Sequence, residues 1–317
     1  VRLAGVKDNP ATPKDETLAD VDMLLIGGSK LNAFVGAAGV GVQLSGMQLG
    51  LALLTEQGNA AKPRSWTTVQ STVQSAAFVG IEGLGIEVTQ MGLSVNRSAA
   101  DGTLVDYSLT ASTTDAATAR NTELSVATGP GSALQLTLDG ASGQMTRLVG
   151  TLSLDLFGFA KVQGDFGIES RTGQVKIAGI RDNPATPKDE TLVDVDMLLI
   201  GGNHLSAFVG AGSVGVRLSE IDMGLALLTE KTASGATARS WTSVQGTVGY
   251  AGFDGVSGMT IPVKNMGLSV NRKASDGSVV DYSLTASTTD AADARNTALT
   301  VATGPSSSLT LSLDGAA

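Results

Sequence analysis

The chain has 317 residues, 40 of them glycine, with aromatics at 4%, charged residues at 16% and a formal net charge of −9. That length suits one large or two medium domains, and the acidic balance excludes a nucleic-acid-binding surface, which needs clustered Lys and Arg. There is no cysteine, so disulfides and thiolate metal sites are excluded too, and the abundance of small residues points to thin β layers rather than a deep aromatic core.

Alternation of apolar with small or polar residues predicts short strands at Val21–Ile26, Val40–Leu44, Leu49–Leu53, Leu84–Val88, Met91–Val95, Val105–Leu109, Leu134–Leu138 and Leu152–Leu156. The apolar run Met23–Ile26 is stopped by Gly27–Gly28, far short of the roughly 18–20 residues of a membrane helix. An outer-membrane barrel lacks its aromatic girdles here. Within the pair 84–95, Leu84, Ile86 and Val88 share one parity while Met91, Leu93 and Val95 share the other. Side chains alternate faces along a strand, so this switch requires a bulge, corner or turn. Asp101–Gly102 and Asp276–Gly277 predict hairpin turns, and Asp139–Gly140 ends another strand. The one predicted helical turn is Thr114–Arg120, with Thr114 or Asp115 as N-cap. Pro262 stands where the other copy has Glu87, which marks that strand as an edge or a corner.

The two copies govern the organisation. DNPATPKDETL occurs at 8–18 and 182–192, VDMLLIGG at 21–28 and 195–202, and GLALLTE at 50–56 and 224–230. After one inserted residue before Trp66/Trp241, MGLSVNR recurs at 91–97 and 266–272 and DYSLTASTTDAA at 106–117 and 281–292, a period of about 174–175 residues. The division is copy one at 1–142, incomplete at its N-terminal end, bridging strands at 143–174, and copy two at 175–317. Val1 falls in mid-repeat with no signal peptide, so the chain reads as a segment of something longer. Each copy also holds a shorter repeat, alternating run, polar break, alternating run, as in 39–54, 83–96 and 159–170. That nesting predicts an all-β fold, an elongated solenoid-like β array, with tandem curved β-sandwich domains as the alternative.

Reactive constellations are scarce. His204 is the only histidine, and Lys30 holds its place in the other copy, so a His-dependent mechanism in each copy is untenable. The best candidate site is the acidic loop with Asp8, Asp15, Glu16, Asp20 and Asp22, and its twin with Asp182, Asp189, Glu190, Asp194 and Asp196. These supply hard oxygen ligands suited to Ca²⁺, without EF-hand or nonapeptide spacing. The competing reading is a polar, proline-punctuated turn in which Lys7 and Lys14 pair with the carboxylates. Trp66 and Trp241, one per copy, read as core plugs or as sugar-stacking anchors. Arg120 and Arg295 sit in a matched ARNT stretch and read as solvated or paired with neighbouring Asp. Gly36–Gly41 lacks the GxxxxGK[ST] pattern and a following helix, so no phosphate loop is present.

The Gly-rich alternating stretches FVGAAGVGVQLSGMQLGLALL and FVGIEGLGIEVTQMGLSV, in long near-identical copies without cysteine, resemble the giant tandem-repeat surface proteins of Gram-negative bacteria. The resemblance covers the whole chain in style, carries no diagnostic motif and transfers no site residues. It implies secretion, an elongated stalk or filament, and a role in adhesion, predation or matrix assembly. The leading expectation is a non-enzymatic structural segment of an extracellular or cell-surface filament, stalk or adhesin. Its partners are then further copies of the repeat in the same or neighbouring chains, and a cell surface or polysaccharide. The alternatives are a calcium-stabilised binding module and a β-helical polysaccharide-active enzyme, the last by fold analogy alone.

Overall fold

A computed structural model describes residues 1–4, 16–58, 62–108, 123–178, 190–232, 236–256, 262–283 and 298–315. In chain order the first copy and the bridge hold β1 (Arg2–Ala4), β2 (Glu16–Leu18), β3 (Val21–Ala37), β4 (Val40–Glu56), β5 (Ser65–Val79), β6 (Leu84–Arg97), β7 (Leu104–Val105), β8 (Leu124–Gly129), β9 (Ser132–Leu136), β10 (Met145–Leu156) and β11 (Ala160–Ala178). The rest are β12 (Glu190–Ala211), β13 (Val214–Glu230), β14 (Ser240–Asp254), β15 (Val263–Arg272), β16 (Val279–Asp281), β17 (Leu299–Ala302) and β18 (Ser308–Leu311). Among the described residues there is no α-helix, only a 3₁₀ turn at Gly140–Ser142 just after Asp139. The all-β expectation holds. The helical turn predicted at Thr114–Arg120 lies outside the described residues, as do Arg120 and Arg295.

One antiparallel sheet of eleven strands dominates, in the order β15-β14-β13-β12-β11-β10-β6-β5-β4-β3, with β16 pairing the end of β11; it does not close into a barrel. Chain neighbours pair antiparallel from β11 to β15. The solenoid-like array is therefore not confirmed. A meander of long hairpins carries the nested periodicity instead, because each hairpin repeats the alternating run and its break. The three smaller sheets are β2-β1-β7, the hairpin β8–β9 and the hairpin β17–β18.

The polar breaks lie inside strands. β4 runs through the interval between its two predicted segments, and β6 does the same. At the break the backbone turns left-handed for one residue: Lys30, Gly46 and Gln90 in copy one, His204, Glu220 and Asn265 in copy two, with φ between 48° and 62°. The β12–β13 register shifts there, between Gly202 and Ala207. The β13–β14 and β14–β15 registers run unchanged past Glu220 and Asn265, so there the left-handed residue, and not an extra one, breaks the alternation at the place where the sequence switches parity. Pro262 sits just ahead of β15, so it removes no ladder donor from that strand. The turns at Asp101–Gly102 and Asp276–Gly277 form, with φ of 85° and 86° at their glycines. They do not close a hairpin on β6, however: β7 leaves to pair β1, and β16 pairs β11.

By contacts the chain divides into two compact units, residues 1–35, 43–76 and 91–148 in one and 36–42, 77–90 and 149–317 in the other. Each has its own core. In the first, Leu3, Leu54, Trp66, Val105, Tyr107, Val126 and Leu136 are buried together. In the second, Ile177, Val195, Met197, Leu199, Leu228, Trp241, Val280, Tyr282, Val301 and Leu311 do the same. In both, a two-stranded hairpin (β8–β9 or β17–β18) lies on the sheet, and a glycine makes the approach possible. A Cβ at Gly27 would stand 2.2 Å from the Ala127 carbonyl oxygen, and one at Gly201 would stand 2.3 Å from that of Ala302.

Candidate functional site

Corresponding side chains of the two copies form three arrangements, each built twice. The first closes the base of the β4–β5 and β13–β14 hairpins. The Arg64 guanidinium lies 5.3 Å from the Trp66 ring centroid, grips the Glu56 carboxylate through Nε and Nη2, and reaches Asp101 Oδ2 through Nη1 at 3.3 Å. Its twin Arg239 lies 5.2 Å from the Trp241 ring, with Nε 2.7 Å and Nη2 2.6 Å from the two Glu230 oxygens and Nη1 3.1 Å from Asp276. Bidentate pairing suits the planar fork of arginine, and its face suits an indole. The Arg64 hydrogen bonds hold the Glu56 carboxyl below its ordinary range, and those of Arg239 do so for Glu230. Burial pushes Asp101 up, but hydrogen bonds from Thr103 and Arg64 outweigh it, so the net shift is down. Trp66 Nε1 donates to the Thr103 carbonyl at 3.0 Å, and Trp241 Nε1 to that of Ser278 at 3.2 Å. Both rings are 2% exposed, which decides for core plugs over sugar-stacking platforms.

The second arrangement, a buried polar chain, was not read from the sequence. Tyr107 Oη donates to Thr68 Oγ1 at 3.0 Å, that hydroxyl donates to Asn96 Oδ1 at 3.1 Å, and Asn96 Nδ2 donates to the Val105 carbonyl at 3.0 Å. In the other copy Tyr282, Ser243, Asn271 and Val280 repeat the chain at 2.9, 3.0 and 2.8 Å. Burial pushes both tyrosine hydroxyls up to about 12. The signal that would have found it is the pairing of Asn96 and Tyr107 with Asn271 and Tyr282 across the copies, at positions otherwise indistinguishable from solvated strand residues.

The third is a buried ion pair where β1 meets β7. Arg2 Nη2 stands 3.0 Å from Asp106 Oδ2 with both side chains fully buried, and Asp106 Oδ1 accepts from the Ser108 amide at 2.8 Å. Lys176 Nζ stands 3.8 Å from Asp281 Oδ2 in the twin, and Asp281 Oδ1 accepts from the Ser283 amide. The cost of taking both charges out of water offsets much of the attraction in such a pair.

The calcium candidates are only partly described. Asp8, Asp15, Asp182 and Asp189 lie outside the described residues, while Glu16 and Glu190 begin β2 and β12. Asp22 Oδ1 accepts from Gln57 Nε2 at 2.6 Å, and Asp194 Oδ1 from Gln174 Nε2 at 3.0 Å. Asp196 lies 3.9 Å from Lys231 Nζ, and the Asp20 carbonyl accepts from the Gln57 amide. Among the described residues no three carboxylate or imidazole groups converge. His204 is exposed at its bulge, with Nδ1 2.6 Å from Asn203 Nδ2 and its amide donating to Asp222 Oδ1. It takes the left-handed position of the break, as Lys30 does. An open polar hollow bordered by Asp155, Lys161 and Arg217 has its charges matched locally, Lys161 to Asp155 at 3.0 Å and Arg217 to Asp254 at 2.6 Å.

A further pair of positions differs between the copies in a compensated way. A Cβ at Gly46 would stand 2.4 Å from Gln74 Oε1, so glycine leaves room for that glutamine. In copy two the large residue changes strand: Glu220 occupies the left-handed position, and a Cβ at the facing Gly249 would stand 2.3 Å from Glu220 Oε2. No family model, curated protein or solved structure matches the chain.

Proposed function

We propose that the chain is a non-enzymatic structural repeat segment of a long extracellular filament, stalk or adhesin, in which each copy adds strands to a continuing sheet. The observation that carries this reading is where the twinned polar chemistry sits. Trp66, Arg64, Tyr107, Asn96 and Asp106, like their counterparts, direct their donors and acceptors at other residues of the same copy. Duplicated side chains thus serve cohesion. The cysteine-free composition and the resemblance to tandem-repeat surface proteins support placement outside the cell, with further copies of the repeat, a cell surface or a polysaccharide as partners. Chains carrying two, four and eight copies test it by small-angle scattering and electron microscopy. A constant gain in particle length per added copy is the expected result; particles that thicken into compact globules would overturn it.

A further inference from the structure

We infer that the open edge of β3 is a seat for a strand of the β11 kind, supplied by a further copy of the β10–β11 hairpin; this rests on the sheet-extending reading above. In copy two, β11 and β12 pair in antiparallel register from Ala160↔Val209 to Ala178↔Glu190. In copy one, β1 reproduces the last rungs of that ladder. Arg2↔Leu18, Leu3↔Thr17 and Ala4↔Glu16 match Lys176↔Leu192, Ile177↔Thr191 and Ala178↔Glu190. The next rung is also set: the Val1 ammonium donates to the Ala19 carbonyl, and the Ala19 amide to the Val1 carbonyl, both at 2.8 Å. Beyond that rung β3 ends the sheet, and among the described residues no strand pairs its outer side.

The vacant side leaves a visible mark. Met23 is 47% exposed where Met197 is 3%, and Leu25 is 36% exposed where Leu199 is buried completely. The two strands share the sequence VDMLLIGG at these positions, so the difference comes from the neighbour: β12 has β11 beside it. An aliphatic, unpaired edge of this kind is what strand addition uses, with main-chain bonds for affinity and alternate side chains for selection. The register follows by equivalence with copy two. The incoming strand sets its counterpart of Gln174 opposite Asp20, of Gly167 opposite Gly27 and of Ala160 opposite Val35.

Gly167 supplies the selectivity. A Cβ there would stand 2.3 Å from the Ala302 carbonyl oxygen, the same atom that crowds Gly201 beside it. The Ala127 carbonyl crowds Gly27 in the same way. A strand docking on β3 passes under β8–β9 and must present glycine at that rung.

The test joins residues 143–174 directly ahead of Val1 in the full chain and follows amide hydrogen exchange in β3. Amides between Val21 and Val35 are expected to exchange at least about tenfold more slowly than in the unfused chain. A second fusion, carrying Gly167→Val in the added segment alone, is expected to lose that protection while Trp66 and Trp241 fluorescence stays unchanged. Equal exchange with and without the hairpin, or equal protection by the valine fusion, would overturn the inference. Protection in the unfused chain that rises with concentration, together with dimers in sedimentation, would overturn it too, by showing that β3 edges pair with each other. Arrays that lengthen while β3 stays unprotected would remove this inference alone; protected β3 in compact arrays would remove the structural reading alone.

Discussion

Each buried tyrosine hydroxyl sets an alkaline limit on the fold. Its neutral form is favoured in the folded state, with its titration pushed up to about 12 in both copies against an ordinary value near 10. A raised folded value means the contribution is fully present below about pH 10 and is lost as pH rises toward 12. The double variant Tyr107→Phe/Tyr282→Phe should lose about 1 kcal/mol per site at neutral pH. It should also show a shallower decline than the parent between pH 10 and 12, both read from urea midpoints. Glu56 and Glu230 act at the other end, because their carboxyls are lowered. Their contribution is present above the ordinary carboxylate range and lost as pH falls through the lowered values. Glu56→Gln/Glu230→Gln should therefore be less stable than the parent at pH 7 and converge with it in acid, in the same urea series. At this scale the sequence was legible for Trp66 and Trp241, since one large ring per copy belongs in a thin core. The Tyr–Thr–Asn chain was not, because polar residues in a strand look alike whether water or a buried partner satisfies them.

Among the elements, the break in alternation was legible and the strand lengths were not. The parity switch between Val88 and Met91 requires a bulge, corner or turn, and the left-handed Gln90 stands there. A polar break, however, reads as the end of a strand when only alternation is counted, so segments that the structure joins were separated. The break also carries the compensated pair Gly46/Gln74 and Glu220/Gly249. Gly46→Glu alone forces a side chain against Gln74 and into a left-handed backbone, and should cost about 1–3 kcal/mol. Adding Gln74→Gly should recover most of that loss, because the double variant copies the second repeat. A double-mutant cycle on denaturant midpoints checks it, and additive losses would count against the coupling.

For the molecule as a whole, the all-β class followed from alternation and turn residues, whereas the strand direction did not. Alternation has the same period in parallel and antiparallel ladders, so nested repeats suggested stacked coils where the chain makes a meander. The two ends of the sheet, β3 and β15, are different surfaces. Contacts between unlike surfaces are directional: they close into a ring where the rotation closes and extend into an open filament where it does not. Near-identical neighbours along one chain carry the hazard of exchanging strands while folding. The inverted size pair bears on that hazard. Were β4 to accept β14, Gly46 would face Gly249 across a gap; were β13 to accept β5, Glu220 would collide with Gln74. Each hairpin therefore carries its own lock and key, and the mismatch penalises a chimera even though the surrounding letters are nearly the same.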